Sequence, residues 1–163
     1  MLSVIVAGCG NALLPERDYL QNFSGNFEAT AQITKPELHA MAEIHRSNTM
    51  FSMGFTQPVS LDGMNVTISG GNTTVEYKGM DFTLHRDTVP TDSIARLIGA
   101  AFDTITSREG LTTETTGEIV SVSGRIGADS FTAEINHRTG VLIKLSLPGR
   151  ELQIAFENFI VIA

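Results

Sequence analysis

The sequence predicts a mainly β protein of the α+β class: an antiparallel, curved sheet of about ten strands, a half-barrel, wrapped around one long helix. Three observations carry that prediction. Beyond residue 22 almost every segment alternates apolar and polar residues with period two, the mark of strands with one buried and one wet face. Only one long segment, residues 91–108, has helical periodicity, with Ile94, Leu97, Ile98, Ala101, Phe102 and Ile105 on one stripe. The third is an area mismatch. About ten strands at roughly 4.8 Å spacing span about 45–50 Å, whereas a helix of that length is about 27 Å long and 10 Å wide. A flat sheet would leave apolar face bare, so the sheet curls around the helix.

Composition sets the bounds. A chain of 163 residues with 42% hydrophobic and 18% charged residues reads as one globular domain. The net charge of −7 and the pI near 5.0 argue against nucleic acid as a partner. The one cysteine, Cys9, allows no internal disulfide. No apolar run reaches the roughly 20 residues of a membrane-spanning helix.

The strands follow in order. Phe23, Gly25, Phe27, Ala29, Ala31 and Ile33 share one face, and Lys35-Pro36-Glu37 breaks the pattern. Leu38, Ala40, Ala42 and Ile44 form a second strand. Phe51, Met53 and Phe55 form a third, ending at Gln57-Pro58, and residues 59–63 make a short connection. Met64, Val66 and Ile68 lead into Gly70-Gly71-Asn72, a hairpin signal, followed by Val75 and Tyr77 and then by Met80, Phe82 and Leu84. Pro90 and Thr91 suit a helix entry, Asp92 complements the positive end of the dipole, and Gly110 suits a stop. Residues 111–116 read as a polar loop. Four further strands centre on Val120, Phe131, Val141 and Leu152, with turns at Arg138-Thr139-Gly140 and Pro148-Gly149. A short helix is expected within residues 12–21.

The first ten residues, MLSVIVAGCG, end on small residues before the cysteine. Val6-Ala7-Gly8-Cys9 resembles the lipobox of bacterial lipoproteins. That resemblance implies cleavage before Cys9, acylation of the cysteine and a membrane anchor. Residues 1–21 then form a signal remnant and tether, and residues 22–163 the domain. Only eight residues precede Cys9 and none is basic, so a signal of ordinary build would begin upstream. The other reading is a short buried strand with a core cysteine.

Two stretches, residues 50–84 and 132–159, carry a wider resemblance, most plainly at Pro58-Val59-Ser60-Leu61-Asp62-Gly63 and Arg138-Thr139-Gly140. Their order resembles the LolA-like lipoprotein carrier fold, and more closely the lipid-anchored, GerS-like lipoproteins of spore-forming Gram-positive bacteria. The resemblance implies an extracytoplasmic, membrane-tethered, non-catalytic protein without cofactor. Its ligand would be a lipid, an acyl chain such as palmitate or another hydrophobic molecule. The alternative implied is a module that regulates a cell-wall hydrolase, in germination or envelope maintenance, through contact with an envelope protein. A protein that is itself anchored is a poor shuttle.

The candidate cavity residues are Phe27, Phe51, Met53, Phe55, Phe82, Leu97, Ile98 and Phe102, large apolar side chains on the expected inner face. Small inward residues, Ala29, Ala31, Ala40 and Ala42 among them, make room either for the helix or for a ligand. The histidines, His39, His45, His85 and His137, lack the tight spacing of a zinc motif. Asp81, Asp87 and Asp92 have no partner that would make an acid/base pair.

Overall fold

The computed structural model describes residues 18–85, 88 and 93–162. Its elements are β1 (Asn26–Lys35), β2 (Leu38–Arg46), β3 (Met50–Gln57), β4 (Asn65–Ser69), β5 (Asn72–Tyr77), β6 (Met80–His85), α1 (Ile94–Ser107), β7 (Thr112–Thr116), β8 (Ile119–Ile126), β9 (Asp129–Asn136), β10 (Val141–Leu147) and β11 (Leu152–Ile162), with 3-10 turns at Gln21–Phe23 and Pro148–Arg150. All strands belong to one antiparallel sheet in the order β6-β5-β4-β3-β2-β1-β11-β10-β9-β8-β7.

That order has a simple origin. β1 to β6 step outward through consecutive hairpins to one edge, and β7 to β11 step back from the other edge. The two runs join where β11 pairs with β1, from Asn26 opposite Ile162 to Thr34 opposite Gln153. The chain passes from edge to edge between them, and α1 is on that passage, laid over the inner face.

The sheet is curved, as the helix contacts require. α1 touches both β3 and β8, which stand six strand positions apart. That is about 29 Å measured along a sheet, against about 21 Å for a 14-residue helix. Register breaks between Glu28 and Thr30, Met41 and Ala42, and Leu142 and Lys144 help the bend, since a bulge adds local twist. The first coincides with Asn158, whose φ of 52° is left-handed.

The core lies between α1 and the central strands. Ala95, Leu97, Ile98, Gly99, Ala101, Phe102 and Ile105 of α1 are buried against them. Beneath them lie Ala29, Ala31, Ala40 and Ala42, all nearly or wholly buried.

Several sequence expectations shift. Among the described residues the sheet has eleven strands, the additional one being β7, which reads as a loop because Thr-Thr-Glu-Thr-Thr has no apolar alternation. Backbone pairing with β8 defines it, from Thr112 opposite Ser123 to Thr116 opposite Ile119. Phe23 precedes the first strand: it belongs to a 3-10 turn and is fully buried beside Phe27 and Phe102. The helix ends at Arg108, in the left-handed conformation with its amide bonded to Thr104 O at 3.1 Å, and Gly110 lies two residues beyond. Cys9, residues 12–17 of the helix expected within residues 12–21, and Pro90, Thr91 and Asp92 lie outside the described residues; in the described remainder of that segment residues 18–20 are not helical and Gln21 opens the 3-10 turn.

Candidate ligand groove and uncovered inner face

Strand register shows which side chains share the inner face. Residues directly opposite in an antiparallel pair point the same way. Phe51 faces Ile68, Ile68 faces Thr73, and Thr73 faces Leu84. Met53, Val66, Val75 and Phe82 form a second row, and Tyr77 with Met80 begins a third. Burial falls along the second row: Met53 is 1% exposed, Val66 and Val75 are half-buried, and Phe82 is 56% exposed. Leu84 and Met80 are also exposed. α1 covers the middle of the sheet and stops short of this wing.

The opposite edge is built differently. There the inner face continues from Val120 to Thr115 and from Val122 to Thr113, so the uncovered strand presents threonines. Between the two edges the contrast is one-sided: the exposed apolar side chains of the wing are Met80, Phe82 and Leu84 of β6, with half-buried Val66, Ile68 and Val75 behind them, and Val161 of β11, opposite Phe27, is a further exposed apolar residue of the inner face.

Of the cavity residues expected from sequence, Phe27, Phe51, Met53, Phe55, Leu97, Ile98 and Phe102 are buried. Phe102 is their hub. Its ring centroid lies 5.2 Å from that of Phe27 and 6.1 Å from that of Phe51, and it also meets Phe23 and Phe156. Phe82 stands apart from this group, exposed on edge strand β6, because alternation sets the face a side chain points from and not what lies over it.

A groove of about 260 Å³ opens at the margin of this cluster, between α1, the β2–β3 turn and the β4–β5 hairpin. Phe51 and Ile68 line its apolar side, with Gly99 of the helix close to both. Arg96, Asp103 and Arg46 line it as well. Arg46 pairs in register with both Phe27 and Phe51, which places it on the inner face. Its guanidinium donates to Asp103 Oδ1 at 2.7 Å and sits 5.8 Å from the Phe102 ring centroid. The side chain is only 11% exposed, so its position is fixed by α1. Two more ties seat the far end of the helix: Thr106 Oγ1 donates to Phe23 O at 3.0 Å, and Arg108 pairs with Asp18.

Sequence reasoning did not single out Arg46, Arg96 or Asp103. The signal was present for the first: Arg46 continues the inner-face series Ala40, Ala42, Ile44. Arg96 and Asp103 are seven residues apart, two helical turns, which puts them on one stripe. Among the described residues no group of three or more His, Cys, Asp or Glu side chains is placed to hold a metal ion, and no helix is long and apolar enough to cross a membrane.

No protein-family model matches the chain, and no curated protein does. Solved structures do resemble it. An uncharacterized conserved protein from Thermus thermophilus aligns at 15% identity over 89% of this chain and 84% of that one, with a TM-score of 0.57. The LolA superfamily protein NE2245 from Nitrosomonas europaea aligns at 8% identity over 92% and 94%, with a TM-score of 0.46. A chain of the structure of the CwlD amidase from Clostridioides difficile in complex with the GerS lipoprotein aligns at 11% identity over 78% of this chain and 79% of that one, also at 0.46. The first likeness shows a shared fold, and 11% identity does not single out GerS as kin.

Proposed function

We propose that the protein is a non-catalytic binding module of the cell envelope, held outside the cytoplasm by acylation of Cys9, and that it takes a lipid or similar hydrophobic ligand on the bare inner face of β4 to β6. The observation that carries the reading is the burial gradient from Met53 through Val66 and Val75 to Phe82, a core surface that runs on past its cover. Contiguous apolar surface rimmed by polar residues is where proteins bind apolar partners. The groove beside it, at about 260 Å³, is slightly below the roughly 300–1,000 Å³ of typical ligand sites. A ligand entering it therefore extends onto the wing. The LolA-like resemblance of the sequence agrees with such a role.

Native mass spectrometry of the protein extracted from its membrane tests this. The expected result is a retained lipid that is lost from the Phe82→Asp/Leu84→Asp double variant. A wild-type protein extracted without any lipid would count against the reading. Anchoring is tested separately: Cys9→Ala should move the protein from the membrane to the soluble fraction.

One observation favours a second reading, a GerS-like protein-interaction module regulating a cell-wall hydrolase. β6 is an edge strand, and beyond β5 no described strand pairs with it. An edge with apolar side chains at every second position can accept a strand from a partner. Cross-linking in the native envelope would then recover a stoichiometric hydrolase.

A further inference from the structure

We infer that the domain docks end-on against a phospholipid bilayer, with Ile160, Val161 and Ile162 at the tip of β11 entering the head-group layer. This inference rests on the acylation of Cys9 proposed above and adds a second membrane contact, made by the domain itself.

The tip of β11 breaks the rule that the rest of the sheet obeys. A sheet with its core on one side carries polar residues on the other. The outer row beside Ile160 does so, running through Glu28, His45, Ser52 and Thr67. Ile160 and Ile162 lie opposite Glu28 and Asn26 and share that outer face, whereas Val161 lies opposite Phe27 on the inner one. The tip is therefore apolar on both faces. All three side chains are exposed, Ile160 at 59%. The core uses one of these faces, and contiguous exposed apolar surface marks a contact site.

The position of the tip points to the bilayer. Asn26, opposite Ile162, opens β1, and the turn before it packs here too, with the Phe23 ring 5.8 Å from that of Phe159. The chain toward Cys9 thus leaves the domain at the tip. Eight residues separate Cys9 from Asp18, a tether of at most about 30 Å. The ten residues of β1 alone span about 33 Å. A domain standing on its opposite end, where Val59 and Met80 are exposed, would outrun that tether. The tip also shares its end of the sheet with the ligand surface. The row of Val161 and Phe27 continues through Arg46, Phe51 and Ile68 to Leu84. Docking the tip therefore brings the mouth of the groove and the Leu84 end of the wing to the bilayer, where lipid is. With a net charge of −7 the contact is hydrophobic, so neutral lipid suffices.

The chain has no tryptophan, so a single one reports its own surroundings. Ile160→Trp and, as control, Val59→Trp are made in the full acylated chain, checked for unchanged melting and reconstituted on phosphatidylcholine vesicles with and without brominated acyl chains. The expected result is that Ile160→Trp emission shifts to the blue on the vesicles and is quenched by the brominated lipid, while Val59→Trp emission does neither. Vesicle-bound protein with Ile160→Trp unquenched, or quenched no more than Val59→Trp, would overturn the docking and leave the anchor standing. A blue shift of Ile160→Trp that grows with protein concentration without vesicles would assign the tip to a second copy of the chain and overturn it as well. Protein that does not float with the vesicles would overturn the anchor and this inference with it.

Discussion

Two phenylalanines on opposing inner surfaces give the account its sharpest quantitative contrast. Phe102, on α1, is fully buried and touches the rings of Phe23, Phe27, Phe51 and Phe156. Phe82, on the inner face of β6, is 56% exposed. Truncating a buried Phe to Ala costs about 3–5 kcal/mol, transfer and cavity together. Four ring neighbours, with one edge-to-face contact at 5.2 Å, put Phe102→Ala near the upper end, about 4–5 kcal/mol. For a chain of this size each kcal/mol lowers the melting temperature by roughly 2–4 °C, so the variant should melt about 8–20 °C lower. Phe82→Ala should change stability by no more than about 0.5 kcal/mol, the usual range for surface positions. Urea unfolding followed by circular dichroism measures both, with midpoint and slope reported separately. Similar losses from the two variants, or less than about 1.5 kcal/mol from Phe102→Ala, would refute the claim that the helix seals the middle of the sheet and leaves the β4–β6 wing bare.

Other positions make narrower tests. Gly99→Ala should stabilise the protein by up to about 1 kcal/mol in thermal melts, since the new methyl would meet the Phe51 ring at an ordinary 3.7 Å and a helical glycine is costly. Gly124→Ala should destabilise by about 1–3 kcal/mol in the same assay, because its Cβ would come within 2.8 Å of Leu111 and Phe131 side chains. Asp103→Asn should cost no more than about 1 kcal/mol in urea titration, as its carboxylate is largely in water although paired with Arg46.

Much of this architecture was legible in the residues. The alternation of Phe27, Ala29, Ala31 and Ile33 and of Phe51, Met53 and Phe55 marks the buried faces of β1 and β3, and the stripe from Ile94 to Ile105 marks the helix. Such patterns work because a side chain's direction follows from its position in a strand or helix. What they do not contain is the order of strands. Pairing of β1 with β11 joins segments over a hundred residues apart, and it decides that α1 covers the centre and not the β6 edge. Phe82 therefore reads like Phe51 in sequence and differs from it in burial. β7 was missed for the converse reason: its backbone pairs while its side chains carry no pattern. The polar side of the groove escaped notice because Arg46, Arg96 and Asp103 come from a strand end and a helix that meet only when the sheet bends.

The bare wing itself is best interrogated by a dodecanoic acid analogue with a photoreactive diazirine at the chain end, irradiated with the protein and mapped by peptide mass spectrometry. The account predicts covalent adducts on the inner-face residues of β4 to β6, Phe82 and Leu84 foremost, and their loss in the Phe82→Asp/Leu84→Asp variant. Adducts gathered instead on β8 to β10, or spread evenly over the outer face, would contradict it.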